Sequence, residues 1–464
     1  MPPPTRSDSL QRSTIPWATK HYSVAHRQNQ PMSTSPTSPV HRTIDAVWRI
    51  ESAKIIATVA RMVRDVGVAE ELAQDALITA LEQWPEKGVP DNAAAWLTTT
   101  AKRRALDWLR RQQMLERNHE QLGHEMELRQ EMSEPSVEEA LINAVDDDIG
   151  DDLLRLVFTA CHPLLSTEAQ VALTLRLLGG LTTDEIARAF LVGEPTIAQR
   201  IVRAKRTLAE ARVPFEVPRA DELPARLNSV LGVIYLVFNE GYSATAGDDW
   251  MRPALCEEAL RLGRIVAELV PAEPEVHGLV ALMELQASRA HARVGPSGEP
   301  VLLNDQNRSR WDHVLIRRGL AALERAEGLA RADGGLLGPY TLQAAIAACH
   351  ARAREPAETD WSRITALYDA LAQLSPSPVI ELNRAVAVSM AQGPAQALTI
   401  IDRLAAEPTL RAYHLLPSVR GDLLVKLGRL AEARGEFERA ASLTRNLRER
   451  ELLLGRAAAC ATAS

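Results

Sequence analysis

The sequence is poor in the residues that build disulfide frameworks, β-sheets and membrane spans. It has four cysteines in 464 residues, and none forms a CxxC pair, so it indicates neither a zinc knuckle nor a disulfide framework. Aromatic residues make up only 4% of the chain, and runs of β-branched residues are scarce. No apolar run approaches the roughly 20 residues of a membrane span. These absences predict an all-α protein of the reducing cytoplasm, without a membrane segment.

The chain also lacks the positive net charge of a protein coated in nucleic acid. Its formal net charge is -7, so any contact with DNA must come from local basic patches. Residues 1–43 are rich in Pro, Ser and Thr and have no apolar segment typical of a signal peptide, which predicts a disordered tail. Met32 is an alternative translation start within that tail.

Composition and helical periodicity divide the remaining chain into five segments. Helical patterns predict a first domain over 44–113, a helical block over 153–212 and a long helical extension over 225–464. Residues 114–152 are strongly acidic and are predicted to form a linker. Residues 213–224 are rich in proline and are predicted to form a second, short linker.

The first domain combines an acidic helix with a basic one. A helix is predicted over 69–84, ended by Pro85 and Gly88, and a second helix is predicted to begin after a cap at Asp91. The polar face of the first helix carries Glu70, Glu71, Gln74 and Asp75. The basic residues of the second helix are Lys102, Arg103, Arg104, Arg110 and Arg111. A solvated helix face is the simpler explanation of either pattern taken alone.

The stretch LTTDEIARAFLVGEPTIAQRIVRAKRTLAEA, residues 181–211, predicts a helix-turn-helix. Thr182 and Glu185 have the spacing of a capping box, and Gly193 permits a turn between the two helices. Ile197, Ile201 and Leu208 are predicted to face inward. The residues of the second helix predicted to contact DNA are Thr196, Gln199, Arg200, Arg203 and Arg206. The alternative is an ordinary helical hairpin with a solvated basic face.

The end of the chain shows a degenerate repeat of about 34 residues. One set of apolar positions is Ala433, Phe437 and Ala440, with Gly421 before it. Matching sets occur earlier, at Ala397, Ile401 and Leu404 and at Ile364, Tyr368 and Leu371. This period, with small and large apolar residues spread over two helices, is typical of tetratricopeptide repeats.

The order of these segments resembles the sigma-70 family, specifically the extracytoplasmic-function sigma factors of a subgroup with a tetratricopeptide-like extension. VAEELAQDALITALEQW is similar to their region 2.2, AAWLTTTAKRRALDWLRRQ to regions 2.3 and 2.4, and residues 165–208 to regions 4.1 and 4.2. The resemblance implies that the acidic face of helix 69–84 binds core RNA polymerase. It also implies that the basic residues of both domains bind promoter DNA. Departures in the turn, such as Leu191 where glycine is usual, leave the promoter sequence open.

Two other functional classes remain open at this point. A conventional helix-turn-helix regulator with a helical sensor or scaffold domain would explain residues 153–464 but not 44–113. An enzyme in the extension would need a motif, but the histidines match no metal-ligand spacing, and no nucleophile or nucleotide-binding fingerprint occurs. These histidines are His277, His291, His313, His350 and His414. We therefore predict no catalytic residue, metal site or cofactor.

The extension is predicted to act through protein contacts, either with a further partner or within the chain. A short tether at 213–224 would give it a high effective concentration near the DNA-binding domain. It would either inhibit the preceding domains or support their active arrangement, and the well-formed final repeat favours support. The segment VFNEGYSATAGDDW, residues 237–250, has no explanation from the sequence.

Overall fold

The computed structural model describes residues 39–121, 149–244, 246–247, 249–296 and 298–462. Over these ranges the chain forms 18 α-helices, which confirms the predicted all-α fold. The first group of helices is α1 (Pro39–Val63), α2 (Val66–Lys87) and α3 (Ala93–Gln121). The second group is α4 (Ile149–Ala160), α5 (Thr167–Leu177), α6 (Thr183–Phe190) and α7 (Glu194–Glu210).

The C-terminal extension contributes the other eleven helices of the described residues. They are α8 (Leu223–Tyr242), α9 (Pro253–Leu269), α10 (Pro274–Ala287), α11 (His313–Ala332), α12 (Pro339–Arg352), α13 (Trp361–Leu374), α14 (Pro378–Ala391), α15 (Pro394–Leu404), α16 (Leu415–Lys426), α17 (Leu430–Leu443) and α18 (Leu447–Thr462). Two two-residue strands, β1 (Ala246–Gly247) and β2 (Arg445–Asn446), pair in parallel. No helix of the described ranges is long and apolar enough to cross a membrane.

Local capping sets the limits of α2 and α3, and these limits differ in three places from the sequence prediction. The Asp65 carboxylate accepts hydrogen bonds from the Gly67 and Val68 amides, so α2 begins earlier than expected. Pro85 lies inside α2, and Gly88, with φ 86°, ends the helix. The Ala95 amide donates to Asn92 Oδ1 at 3.0 Å, so Asn92 rather than Asp91 caps α3.

Helices α1 and α4 begin before the predicted limits of their segments. The tail predicted over 1–43 lies outside the described residues up to 38, and α1 starts at Pro39. The acidic linker lies outside them over 122–148, and α4 starts at Ile149. Asp152 is fully buried, 3.1 Å from Arg61 and 2.6 Å from Arg155. These ion pairs, with the favourable position of a carboxylate in a first helical turn, draw the last residues of the acidic segment into the fold.

Helices α6 and α7 form the predicted helix-turn-helix, with one difference at the turn. Thr182 and Glu185 make the reciprocal capping box, and the three residues predicted to face inward from α7 are buried. The left-handed residue of the turn is Leu191, with φ 51°, whereas Gly193 has φ -66°. A non-glycine residue is therefore held in a conformation that favours glycine, at an exposed position.

One apolar core joins the two groups of helices to the start of the extension. Its buried residues run from Ile44 in α1 to Ala287 in α10 without a break in packing. Val157 and Leu178 line one apolar cavity of this core together with Val230 and Val266. The extension is therefore packed on the preceding helices and not only tethered to them.

The later helices pack as successive antiparallel pairs, as the repeat predicts. Ala433, Phe437 and Ala440 are buried, and so are Ala397 and Ile401 at the matching positions. A Cβ atom on Gly421 would lie 2.7 Å from Phe437 Cε1, so only glycine allows this close approach of α16 to α17.

The strand pair closes the extension on itself and gives described residues of the segment over 237–250 a structural role. β1 follows α8, the first helix of the extension, whereas β2 lies between its last two helices. The buried Asn446 side chain donates to the carbonyl oxygens of Ala244, at 3.1 Å, and Asp249, at 2.9 Å. The last helical pair is thereby joined to the first loop of the array.

The strained turn predicts an unusual order of stability at position 191. Both Leu191→Gly and Leu191→Ala remove the same exposed side chain, but only glycine relieves the left-handed conformation. We expect the glycine variant to have the higher free energy of unfolding, by about 1 kcal/mol. Denaturant titration of the two full-length variants measures this difference. An alanine variant as stable as the glycine variant would contradict it.

Candidate polymerase and DNA interfaces

The central polar feature of the structure is the buried carboxylate of Glu70. This residue of α2 is 2% exposed. Its Oε1 lies 2.5 Å from Arg176 Nε in α5, and its Oε2 pairs with the Lys205 ammonium in α7. Since a buried carboxylate is costly unless it is paired, these two cations hold α2 against the helix-turn-helix domain. The expectation that Glu70 is exposed is therefore wrong in this arrangement.

The other three predicted polymerase-binding residues surround Glu70 on α2. Gln74 is half-buried, and its Nε2 donates to Glu70 Oε1. Glu71 and Asp75 are exposed, as expected. Asp75 Oδ2 lies 3.3 Å from Arg104 Nη1 of α3, and Arg104 Nη2 also donates to Thr79 Oγ1 at 2.7 Å. One edge of the acidic face is thus accessible, while the edge at Glu70 is covered.

The five basic residues predicted on α3 do not share one environment. Lys102 is only 3% exposed, so the expectation that its side chain is available to DNA is wrong in this arrangement. Its position on α3 turns it toward the interior, next to the buried Ala101. The Arg104 side chain is paired with Asp75 and Thr79 of α2. Arg103, Arg110 and Arg111 are exposed, and Arg110 lies 3.5 Å from Asp107 on the same helix.

Helix α7 presents the predicted DNA-contacting residues together on one surface. Thr196, Gln199, Arg203 and Arg206 are exposed, and Arg200 is half-buried. Ile197, Ile201, Ala204 and Leu208 fix the opposite side of the helix in the core. Arg206 pairs with Glu210 at 3.2 Å one turn later. Small and polar residues at the start of α7 and arginines further along suit base contacts followed by phosphate contacts.

The extension holds the helix-turn-helix domain through backbone carbonyls at helix ends. Arg226 Nη2 donates to Phe158 O at 2.8 Å, and Ser229 Oγ donates to Cys161 O at 3.2 Å, both at the end of α4. Arg261 donates to Leu178 O after α5, and Arg252 donates to Ala189 O in the last turn of α6. Carbonyls at a helix C-terminus lack partners within the helix, and guanidinium groups suit their partial negative charge.

Two histidines of the extension, together with Cys161 after α4 and Cys256 in α9, have structural surroundings. His277 Nε2 lies 2.9 Å from Pro271 O, and His414 Nε2 lies 2.9 Å from Glu449 Oε1. Burial raises the pKa of Cys161 to about 11 and that of Cys256 to about 12, so both thiols stay protonated at neutral pH. Within the described residues, no group of three His, Cys, Asp or Glu side chains is placed to hold a metal ion.

Arg176 and Lys205 were missed by the sequence reasoning. Arg176 stands in an apolar stretch with no recognisable motif, and Lys205 has the appearance of one more basic residue on a solvated face. Their partner Glu70 is more than a hundred residues away along the chain. A local pattern gives no signal of such a pairing.

Three family models match the chain in the order of its structural parts. Sigma-70 region 2 matches residues 50–114, which include most of α1 with α2 and α3. Sigma-70 region 4 matches residues 155–208, the helix-turn-helix domain. A family of unknown function, DUF6596, matches residues 226–327 at the start of the extension. We use "region 2" for α1–α3 and "region 4" for α4–α7 from here on.

Individual relatives support the same assignment. An uncharacterized protein of Rhizobium meliloti strain 1021 is 45% identical over 390 residues, which cover 84% of this chain and 89% of that protein. The ECF RNA polymerase sigma factor SigK of Mycobacterium tuberculosis is 32% identical over 160 residues, which cover 34% of this chain and 78% of SigK.

A solved structure also matches, but too weakly to support an argument. The crystal structure of yeast Tom70 has 11% sequence identity and a TM-score of 0.29, over 91% of this chain and 86% of Tom70. The two sigma-70 regions and the similarity to SigK decide the family. The chain belongs to the extracytoplasmic-function RNA polymerase sigma factors, and it carries an additional helical domain behind region 4.

Proposed function

We propose that the described arrangement is a closed form of this sigma factor, in which region 4 covers part of the polymerase-binding face of region 2. The burial of Glu70 between Arg176 and Lys205 carries this proposal. Arg49 adds a second link, because its Nη2 lies 2.7 Å from Glu185 Oε1 at the start of α6. Core polymerase would bind the acidic face of α2 after region 4 separates from it.

In this proposal, Glu70, Glu71, Gln74 and Asp75 form the polymerase-binding face of the open form. Separation would return Glu70 and Lys205 to water together, so no charge would be left buried without a partner. Carboxylates at these positions can then pair with arginines of the polymerase. Glu71 and Asp75, which are already exposed, would make the first contact.

Promoter DNA would be bound by two separate basic surfaces. On α3, Arg103, Arg110 and Arg111 are exposed and would contact phosphates. Arg104 and Lys102 would reach DNA only after α2 and α3 rearrange, because they are paired or buried in the closed form. On α7, Thr196, Gln199 and Arg200 would read base edges, while Arg203 and Arg206 would contact phosphates.

The extension would support region 4 rather than cover its DNA-binding surface. Its contacts reach the ends of α4, α5 and α6, and they leave the exposed side of α7 uncovered. Its apolar residues also complete the core of region 4. We propose a binding function in the cytoplasm, where core polymerase is found, and no catalytic activity.

Reversing the charge of Asp75 tests the polymerase-binding face. We expect Asp75→Arg to abolish co-purification with core polymerase and run-off transcription, since the face would repel its arginine partners. The melting temperature should change little because the side chain is half-exposed. Asp107→Arg, the same reversal at an exposed position of α3, is the control. Wild-type recovery of polymerase by Asp75→Arg would show that the assignment is wrong.

Removing Arg203 tests the phosphate contacts of α7. We expect Arg203→Ala holoenzyme to bind promoter fragments more weakly whatever their sequence, with a salt slope smaller by about one. Gln199→Ala should instead change which promoters are preferred. Arg188→Ala on α6, where the side chain is exposed and pairs with Asp184, is the control. An unchanged slope for Arg203→Ala would exclude the phosphate contact.

Removing the Lys205 ammonium tests the closed form itself. Lys205→Gln leaves Glu70 with one cation fewer, which should destabilise the closed form by about 1–2 kcal/mol. The apparent affinity for core polymerase, measured without DNA, should then rise by about tenfold. Arg206→Gln is the matched control, since this neighbour is exposed and pairs within α7. Affinity equal to that of the control would contradict the closed form.

A further inference from the structure

The interior of the extension contains a continuous ladder of arginines and aromatic rings. The Arg293 guanidinium carbon lies 3.6 Å from the centre of the Tyr242 ring and 5.5 Å from that of Trp250. Arg289 lies 5.9 Å from the Tyr242 ring and 6.0 Å from the Trp311 ring. Arg308 follows, 4.9 Å from the Trp311 ring. Cation–π contacts orient such groups, but they do not neutralise three positive charges.

The central arginine of the ladder differs from the other two. Arg293 donates to Tyr242 O, and Arg308 donates to His350 O at 2.8 Å and Ala353 O at 2.7 Å. These two residues fix loops to helices. Arg289 differs in having no hydrogen-bond or ion-pair partner among the described residues, and its Nε, like that of Arg308, is buried without an acceptor. A buried donor without a partner is costly, so the Arg289 guanidinium would gain from binding an anion.

Arg289 and Arg308 lie beside the same Trp311 ring, and the charge of Glu358 partly offsets the lowering of the Arg308 pKa. Burial, followed by the charges of Arg289 and Arg308, lowers the pKa of His350 to about 4, so this histidine is neutral at pH 7. Arg289 also lowers the pKa of Arg308, after burial as the larger cause. Two neighbouring, half-buried arginines are stabilised by an anion between or beside them.

Tyrosines from distant helices surround the same interior. Tyr235 of α8 and Tyr340 of α12 meet edge to face at 5.4 Å, and Tyr235 donates to Gln343 Oε1 at 3.1 Å. Burial raises the pKa of Tyr368 to about 12 and also raises the pKa of Tyr413, so both hydroxyls stay protonated at neutral pH. These four are half-buried and make up most of the six tyrosines of the chain. Such a concentration is typical of a binding surface.

The closure of the array limits the size of the ligand that this interior can hold. The pairing of β1 with β2 and the Asn446 contacts join its last helical pair to its first loop. A closed array of this kind suits a compact ligand better than a long polymer. Arginine offers a carboxylate two parallel hydrogen bonds, and the rings of Tyr242 and Trp311 beside it can stack on a planar group.

We propose that the extension binds a small organic anion, a carboxylate on a planar body, with Arg289 as the anion-binding residue. The site makes the extension a ligand-binding domain of the sigma factor, which goes beyond the support of region 4 proposed above. None of its residues belongs to region 2 or region 4. Loss of ligand binding and loss of sigma activity are therefore separate outcomes.

The test compares two isosteric probes on the full-length protein. We expect sodium benzoate at millimolar concentration to raise the melting temperature and to give a binding isotherm in calorimetry, whereas benzamide, its neutral analogue, does neither. Arg289→Gln should abolish the benzoate effect. Arg318→Gln, which removes an exposed arginine of α11, should keep it. Inorganic phosphate serves as the probe for an anion without a planar group and should bind more weakly than benzoate.

Further variants keep the test decisive if Arg289→Gln does not fold. Arg289→Lys retains the charge but not the paired hydrogen bonds, and we expect its benzoate affinity to fall by about tenfold. Tyr368→Leu should weaken benzoate more than phosphate. The proposal is overturned if benzoate does not bind, if benzamide or phosphate binds as well, or if the Arg289 variants bind benzoate like the wild type.

Discussion

The arrangement of this sigma factor depends on one buried carboxylate. Burial of the Glu70 carboxylate is offset only while Arg176 and Lys205 lie beside it, so α2, α5 and α7 must come together or separate as a unit. Separation rehydrates all three groups at once, and the cost of the lost ion pairs is offset by their solvation. A buried ionic contact therefore holds the helices together in the closed form and can still separate, because its charged groups are then solvated. An apolar contact of the same area would expose hydrophobic surface to water and would not separate as readily.

The ion pairs of Glu70 hold the extension as well as region 4, because the extension shares an apolar core with region 4. The sequence predicted a tether over 213–224 and an extension that supports the preceding domains through contacts, but it did not predict a shared apolar core. In the structure, Val230 and Val266 fill the same core as Val157 and Leu178. Region 4 therefore cannot move without the helices that follow it. When region 4 separates from region 2, the extension moves with it, and any ligand of the extension acts on a body that already includes the helix-turn-helix.

The sequence predicted what local periodicity and capping control. The helices, the capping box at Thr182, the inward face of α7 and the repeat positions around Phe437 follow from patterns a few residues long. It did not predict the burial of Lys102. It also did not predict the burial of Glu70 or the role of Asn446, because their partners lie far along the chain. A charged residue on a helix looks the same in sequence whether it faces water or a distant partner. Leu191 shows the same limit at short range, since its strained conformation is imposed by the packing of α6 and α7 on either side.

The docking contacts, by which the extension donates hydrogen bonds to region 4, limit which sequence changes would loosen the two parts. The extension holds region 4 by donating to the carbonyls of Phe158, Cys161, Leu178 and Ala189, which are backbone atoms at helix ends. Every sequence that folds as these helices presents the same carbonyls. The side chains of α7 that would read a promoter take no part in the docking. Substitutions on the exposed side of α7, the proposed promoter-reading surface, therefore leave these docking contacts intact, while changes in the extension's interior leave that side of α7 unaltered.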